Sequence, residues 1–301
     1  MHELVFGCLA APGAQARHAL LLADSLRALG GRHAGSPMLA LIPQGAHLDP
    51  AVTSRMDSLE IQSIEYPQEW TLDAVPLGER AAGAAQAEVA ARGRARTLVW
   101  LDSDSLILSE PSGLEIGEGA AIGCRPVDLT LIGSPWDEPP DAYWEMIYAG
   151  CAVDRNAIYP VRTTIEGRAI RAYFNAGCLV VRPEAGLLVH WRDALIRLAG
   201  GEGFVGLRGR QRLFFHQAVL AGTVLAAARQ EEITELPPSV NFPLHLHDRV
   251  PPERRPASLR EVETCRYESI FDLEDWTSRV PVVDAALQSW LEARRNLARG
   301  G

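Results

Sequence analysis

From residue 4 to about residue 104, short apolar runs alternate with longer segments in which apolar residues recur every third or fourth position. Leu4–Leu9 is a continuous apolar run and predicts a buried strand. A small-residue turn, Ala10-Ala11-Pro12-Gly13, leads into an amphipathic helix over Arg17–Leu29 that stops at Gly30-Gly31. The pattern then predicts a strand over Pro37–Ile42, a helix over Pro50–Leu59, a short strand over Ile61–Ile64 and an alanine-rich helix over Leu77–Arg92. Next comes Thr97-Leu98-Val99-Trp100-Leu101, apolar enough to be buried on both faces. Strand and helix in regular alternation predict right-handed crossovers and a mainly parallel sheet with helices on its faces.

Beyond residue 104 the pattern loosens. Ala120–Cys124 and Tyr173–Val181 read as strands, Asp141–Cys151 and Phe214–Ala227 as helices, and Pro183 as the first residue of a helix running to about Leu198. Ser134–Asp141 and the proline-rich stretch Leu236–Pro256 read as surface loops. A last strand near Val262–Tyr267 and an amphipathic helix over Val282–Arg295 complete the reading. No repeat or linker interrupts it, which predicts one domain over residues 1–280 with a C-terminal helix, within 281–301, packed on it.

The strand at Thr97–Leu101 ends in Asp102-Ser103-Asp104. Ligands of open α/β sheets bind beyond the carboxyl ends of the strands. Carboxylates one residue apart suit a hard divalent cation that in turn holds phosphate oxygens. The plain alternative is a solvated turn at a strand end.

Composition narrows the chemistry. A net charge of −9 argues against nucleic acid as a partner. All 29 basic residues are arginine, so Schiff-base lysine chemistry, P-loop nucleotide binding and kinase-type phosphate binding are excluded. Cys8, Cys124, Cys151, Cys178 and Cys265 are scattered, which predicts small buried hydrophobes in a reducing compartment. Neither a signal-peptide pattern nor a long apolar run is visible, so a cytoplasmic protein without a membrane span is expected.

Several segments together resemble the GT-A nucleotide-diphospho-sugar glycosyltransferases, within them the family of glycogenin and the bacterial lipopolysaccharide galactosyltransferases. They are Leu98–Asp104 as its Asp-x-Asp strand, Tyr173-Phe174-Asn175-Ala176-Gly177 through Val181 in place of its Phe-Asn-Ala-Gly strand, His216-Gln217-Ala218-Val219-Leu220, and Leu236-Pro237-Pro238-Ser239-Val240-Asn241-Phe242. The resemblance covers roughly residues 1 to 270. It implies an α/β GT-A (Rossmann-like) fold, a mixed, mainly parallel sheet flanked by helices, and transfer of a hexose from a nucleotide donor, with a UDP-sugar favoured, to an unknown acceptor.

By the same resemblance, Asp102 and Asp104 would hold Mn²⁺ or Mg²⁺, and Phe6, Leu9 and Ala10 would line the nucleoside pocket. Arg80, Ser103, Gly177 and His216 would contact the donor, and Gln217 and Asn175 would act in the chemistry. Glutamine is a poor nucleophile, so orientation or charge stabilisation is expected of Gln217. Trp136 and Trp144 are open to two readings, sugar platforms or packing. Two departures stand out. The family's late His-x-x-Gly-x-x-Lys-Pro-Trp segment, which carries its third metal ligand, is absent; Glu263-Thr264-Cys265-Arg266-Tyr267 stands there, leaving His247, or its neighbour His245, as the candidate ligand. His216 replaces an aspartate beside Gln217. A catalytically degenerate binding module and a sugar-phosphate nucleotidyltransferase are the alternatives, the latter disfavoured by the lack of a glycine-rich loop after the first strand.

Overall fold

A computed structural model describes residues 1–298. The chain runs β1 (His2–Leu9), α1 (Ala14–Leu29), β2 (Met38–Pro43), α2 (Pro50–Ser58), β3 (Ile61–Tyr66), the single turn α3 (Trp70–Asp73), α4 (Glu79–Ala91) and β4 (Ala95–Leu101). Then follow β5 (Ser105–Ile107), β6 (Ile122–Pro126), α5 (Ala142–Gly150), β7 (Pro160–Arg162), β8 (Ala169–Arg171) and β9 (Phe174–Val181). The last third holds α6 (Leu187–Ala199), α7 (Glu202–Val205), α8 (Gly209–Leu213), α9 (Phe215–Ala227), β10 (Ile233–Glu235), β11 (Phe242–Pro243), β12 (Thr264–Arg266), α10 (Ala285–Glu292) and α11 (Arg295–Ala298).

The main sheet has seven strands in the order β10-β6-β9-β4-β1-β2-β3. Only β9 is reversed, pairing antiparallel with β4 and β6, and every other pairing is parallel. This is the mixed, mainly parallel α/β architecture expected. The central strands carry almost no polar side chains because both faces are covered by helices. The alanine-rich face of α4 lies close on β1; a Cβ on Gly83 would sit 2.4 Å from Leu9 Cδ2, so the glycine permits the approach.

A second, three-stranded sheet, β11-β12-β5, does more for the site than its size suggests. β5 begins one residue after Asp104, and β12 pairs with it antiparallel, setting Arg266 opposite Ser105. The Tyr267 N–H then donates to the Asp104 carbonyl at 3.0 Å. Arg266, 162 positions after Asp104, is thereby fixed beside the aspartates.

Two expectations change. Pro183 opens a 3₁₀ turn, not the long helix; the helix begins at Leu187, after Gly186 adopts a left-handed φ of 67°. The run Arg208–Arg212 enters the short helix α8, with Arg212 stacked over Phe204 at 4.5 Å. The helix expected over Val282–Arg295 is shorter, spanning Ala285–Glu292, with Asp284 capping it through the Ala286 and Leu287 N–H groups. The expected C-terminal segment extends past the described residues at 299–301. No helix among the described residues is long and apolar enough to cross a membrane.

Candidate functional site

Beyond the carboxyl ends of β1 and β4 lies a cavity of about 260 Å³, lined by Leu9, Gln15, His18, Arg80, Asp102, Ser103 and Asp104 among others. The strands leave their last side chains at this edge, and α4 brings Arg80 to it from its first turn. Arg80 Nη1 lies 3.2 Å from Asp102 Oδ2, an ion pair outside hydrogen-bond geometry, so this buried oxygen accepts no hydrogen bond. Asp102 is only 6 % exposed. Its own N–H donates to the Gly177 carbonyl at 2.8 Å, extending the β4–β9 ladder past the strand end. Gly177 is needed for a reason other than substrate approach. A Cβ there would meet Asp102 Oδ2 at 2.6 Å, so the carboxylate itself occupies the space.

Burial first, and then the Asp102 charge, push the Asp104 carboxyl up to about 6, against the pull of Arg266 and Arg80. Two carboxylates thus crowd one small space and resist being ionised together. A cation between them would relieve that repulsion.

Arg266 organises the neighbouring side chains. Its Nη1 donates to Asn175 Oδ1 at 3.2 Å, and its Nη2 donates to Asp128 Oδ2 at 3.2 Å. Its Nε lies 3.3 Å from Glu268 Oε1, the oxygen that His245 Nε2 approaches at 3.2 Å. The Asp128, Glu268, Asp102 and Asp104 charges raise the guanidinium pKa against its burial. Asn175 Oδ1 also accepts from the Gly177 N–H at 2.8 Å, so the amide is locked where β9 begins.

Gln217 sits in the first turn of α9. Its Oε1 accepts from the Ala176 N–H at 3.1 Å and its Nε2 donates to the Tyr173 hydroxyl at 2.8 Å. Both ends of the amide are therefore oriented by β9 and the residue before it. His216 is 1 % exposed; burial and the Arg80 charge lower its pKa to about 3, which keeps the ring neutral.

The structure brings together Leu9, Arg80, Asp102, Ser103 and Asp104 at one cavity, with Gly177 against Asp102 and Asn175 joined to them through Arg266. Others lie elsewhere. Phe6 is packed in the core at 1 % exposure instead of lining the pocket, and Ala10 is wholly buried with its N–H on the Leu41 carbonyl. His247 packs on the Phe242 ring with Arg255 and Asp248 nearby, and no group of three or more ligating side chains forms among the described residues. His245, two residues earlier in the same 3₁₀ segment, is the histidine that reaches the Arg266 network. Trp144 is core, its Nε1 donating to the Ile132 carbonyl at 2.6 Å, whereas Trp136 stays 42 % exposed over Arg171. Sequence reasoning gave no role to Asp128, Arg266, Glu268 or Tyr173, although Tyr173 heads the segment likened to the Phe-Asn-Ala-Gly strand and Arg266 stands where the late histidine segment would be.

A family model described as a Rhodobacterales glycosyltransferase domain matches residues 6–225. Among solved structures, mouse xyloside xylosyltransferase 1 in its apo form is similar at 12 % identity and TM-score 0.48, over 88 % of this chain and 97 % of that one. The galactosyltransferase LgtC in complex with donor and acceptor sugar analogues is similar at 14 % identity and TM-score 0.48, over 98 % of this chain and 95 % of that one. The bifunctional glycosyltransferase WbbM, in an apo structure, is similar at 10 % identity and TM-score 0.45, over 88 % of this chain and 45 % of that one. No curated protein matches in sequence.

Proposed function

The chain belongs to the Rhodobacterales glycosyltransferase domain family, and we propose that it moves a hexose from a nucleoside-diphosphate donor, a UDP-sugar by preference, to an acceptor. The observation that carries the donor site is the pair Asp102 and Asp104 at a strand end, facing a cavity that two guanidiniums also approach. A nucleoside diphosphate needs positive charge at its phosphates, and an acidic chain must concentrate that charge locally.

The residues fit a divalent cation. Asp102 Oδ2 is buried without a hydrogen bond, and burial together with the Asp102 charge raises the Asp104 carboxyl to about 6 in spite of Arg266 and Arg80. Asp102 and Asp104 would hold Mn²⁺ or Mg²⁺, a role in which one or two carboxylates commonly suffice. Such a cation neutralises charge on the departing diphosphate. Arg80 adds a fixed positive charge on the same side. Gln217 and Asn175 are the residues we assign to the sugar. The Gln217 carbonyl oxygen keeps a lone pair beyond the one on Ala176, with which it can stabilise positive charge developing on the sugar ring. Free, buried cysteines support a reducing, cytoplasmic setting.

A second reading, donor binding without turnover, is favoured by one observation: the Arg80–Asp102 pair already neutralises part of the site. Thermal unfolding with UDP, GDP, ADP and CMP, each with and without Mn²⁺, followed by a hydrolysis assay on the preferred UDP-sugar, separates the two. A ligand at a hundred times its dissociation constant should stabilise by about 2.7 kcal/mol. A shift with UDP and Mn²⁺ that Asp102→Ala with Asp104→Ala removes supports the donor site, and sugar release then supports turnover. An unchanged shift in the double variant would sink the assignment of the aspartates.

A further inference from the structure

A second cleft, about 460 Å³ in volume, opens between the β7–β8 hairpin and the segment around residues 250–256. Four arginines line it: Arg125, Arg162, Arg254 and Arg255. Their guanidiniums are held by main-chain carbonyls. Arg125 donates to Pro237 and Val240 at 2.9 and 3.0 Å, and Arg254 to Thr164 and Ile165 at 2.8 and 2.7 Å. Arg255 donates to Val250 and Asp248, both at 2.7 Å, and Arg162 to Gly167 at 3.0 Å. None of the four forms an ion pair with a carboxylate among the described residues.

That arrangement is unusual in a chain with a net charge of −9, where acidic partners are plentiful. Arg125 is only 7 % exposed and touches no carboxylate; the Asp128 and Glu235 charges act on it from beyond contact distance, and its burial outweighs them. A guanidinium has more N–H donors than the one or two that each carbonyl anchor uses. The anchors fix the forks in advance, so an incoming anion need not order them. Glu235, Glu253 and Glu261 share the lining, and Glu261 is engaged by the Ala257 N–H at 3.1 Å. Four guanidiniums against three carboxylates leave room for one anionic group and oppose a polyanion. Phe242, Val250 and Val262 supply an apolar wall suited to the C–H face of a sugar.

The cleft communicates with the candidate centre. Thr164, on its wall, donates to Asp128 Oδ1 at 2.6 Å, and the other oxygen of Asp128 accepts from Arg266. We propose that this cleft binds the anionic group, a phosphate or a carboxylate, of a charged sugar acceptor. The proposal rests on the transferase reading, since it gives the acceptor its chemistry.

Calorimetric titration tests it, with UDP and Mn²⁺ saturating so that the donor site is filled. The probes are glucose 6-phosphate, glucuronic acid, glucose and inorganic phosphate, titrated into the wild-type protein and into Arg162→Gln with Arg254→Gln. Both replaced side chains are exposed, and an unfolding curve checks that the variant is folded. The charged sugars are expected to bind about tenfold or more tighter than glucose and to lose about tenfold in the variant. Glucose binding as tightly as the charged sugars, or a variant that binds them as well as wild type, overturns the proposal. Inorganic phosphate binding as tightly as the sugar phosphate makes the cleft a bare anion site and overturns its acceptor role. If the wild-type protein fails to bind UDP at all, the transferase reading fails instead, and the same titrations without UDP still decide the cleft.

Discussion

In the candidate centre, Arg266 is surrounded by acids: Asp128 at 3.2 Å, Glu268 at 3.3 Å, and the charges of Asp102 and Asp104 beyond them. In the cleft, Arg125 and Arg254 hydrogen-bond only to carbonyls and touch no carboxylate, although the Asp128 and Glu235 charges reach Arg125 from farther off. The residue type is the same, since the chain has no lysine, but the company differs and so does the consequence of losing it. Removing Arg266 strands several buried anions. Removing Arg254 frees two carbonyls that water can satisfy. One arginine therefore holds the fold of a site together, while the other is kept available for something that arrives.

The largest expected effect follows directly. Arg266→Met should cost about 3–5 kcal/mol of stability in urea unfolding, the range for breaking a buried ion pair by deleting one partner. Arg254→Met should cost about 1 kcal/mol. Equal losses would erase the distinction between the two regions. Next in size, Gln217→Ala should lower turnover on the order of a hundredfold with little change in UDP affinity. A variant that instead loses donor affinity alone would move Gln217 from the chemistry to binding.

Gly177→Ala places a methyl 2.6 Å from Asp102 Oδ2 and must displace the carboxylate. We expect Mn²⁺-dependent UDP binding to weaken about tenfold, roughly 1.4 kcal/mol, and the anionic-sugar affinity of the cleft to stay as it was. Calorimetry on one sample reads both.

The pH dependence separates the regions as well. Asp104 is raised to about 6 by burial and the Asp102 charge, so a proton competes with a cation there. UDP–Mn²⁺ affinity should fall as pH drops through 6, and Asp102→Asn should move that midpoint lower. For stability the sign is opposite. An acid raised in the folded state favours folding fully below its unfolded pKa, and that contribution is lost as pH rises through the folded value. Glu88 obeys the same rule: buried, it is raised to about 7, opposed mainly by the Val189 N–H that it accepts at 2.9 Å. Glu88→Gln keeps an acceptor and removes the charge, so the melting temperature at pH 8 should rise by a few degrees while that at pH 5 changes little.

The parallel half of the sheet was legible because its strands are apolar runs and its helices show a clear period. The aspartates were legible for the same reason, as polar residues abruptly ending such a run. The second sheet was not. β5, β11 and β12 are two or three residues long, too short for any periodicity to register, yet their pairing is what delivers Arg266. Asp128 stands in irregular chain after β6, and nothing local marks it as a partner of Arg266. His245 and His247 looked equivalent in an extended segment. The segment is instead a 3₁₀ helix, Leu244–Arg249, which turns His247 to Phe242 and leaves His245 on Glu268. Helix starts failed where a glycine in left-handed conformation intervened, as at Gly186.

All five cysteines are buried, and burial pushes Cys8 and Cys178 up to about 12 and Cys151 up to about 11. Together with the missing lysines, this leaves a surface nearly inert to both maleimides and active esters. A single cysteine introduced on the exposed β7–β8 turn, as by Arg168→Cys, would then take a fluorophore alone, at the rim of the arginine cleft and without a cysteine-free background. Acceptor occupancy could be followed in real time, on the native thiol complement, while donor binding is read separately by calorimetry.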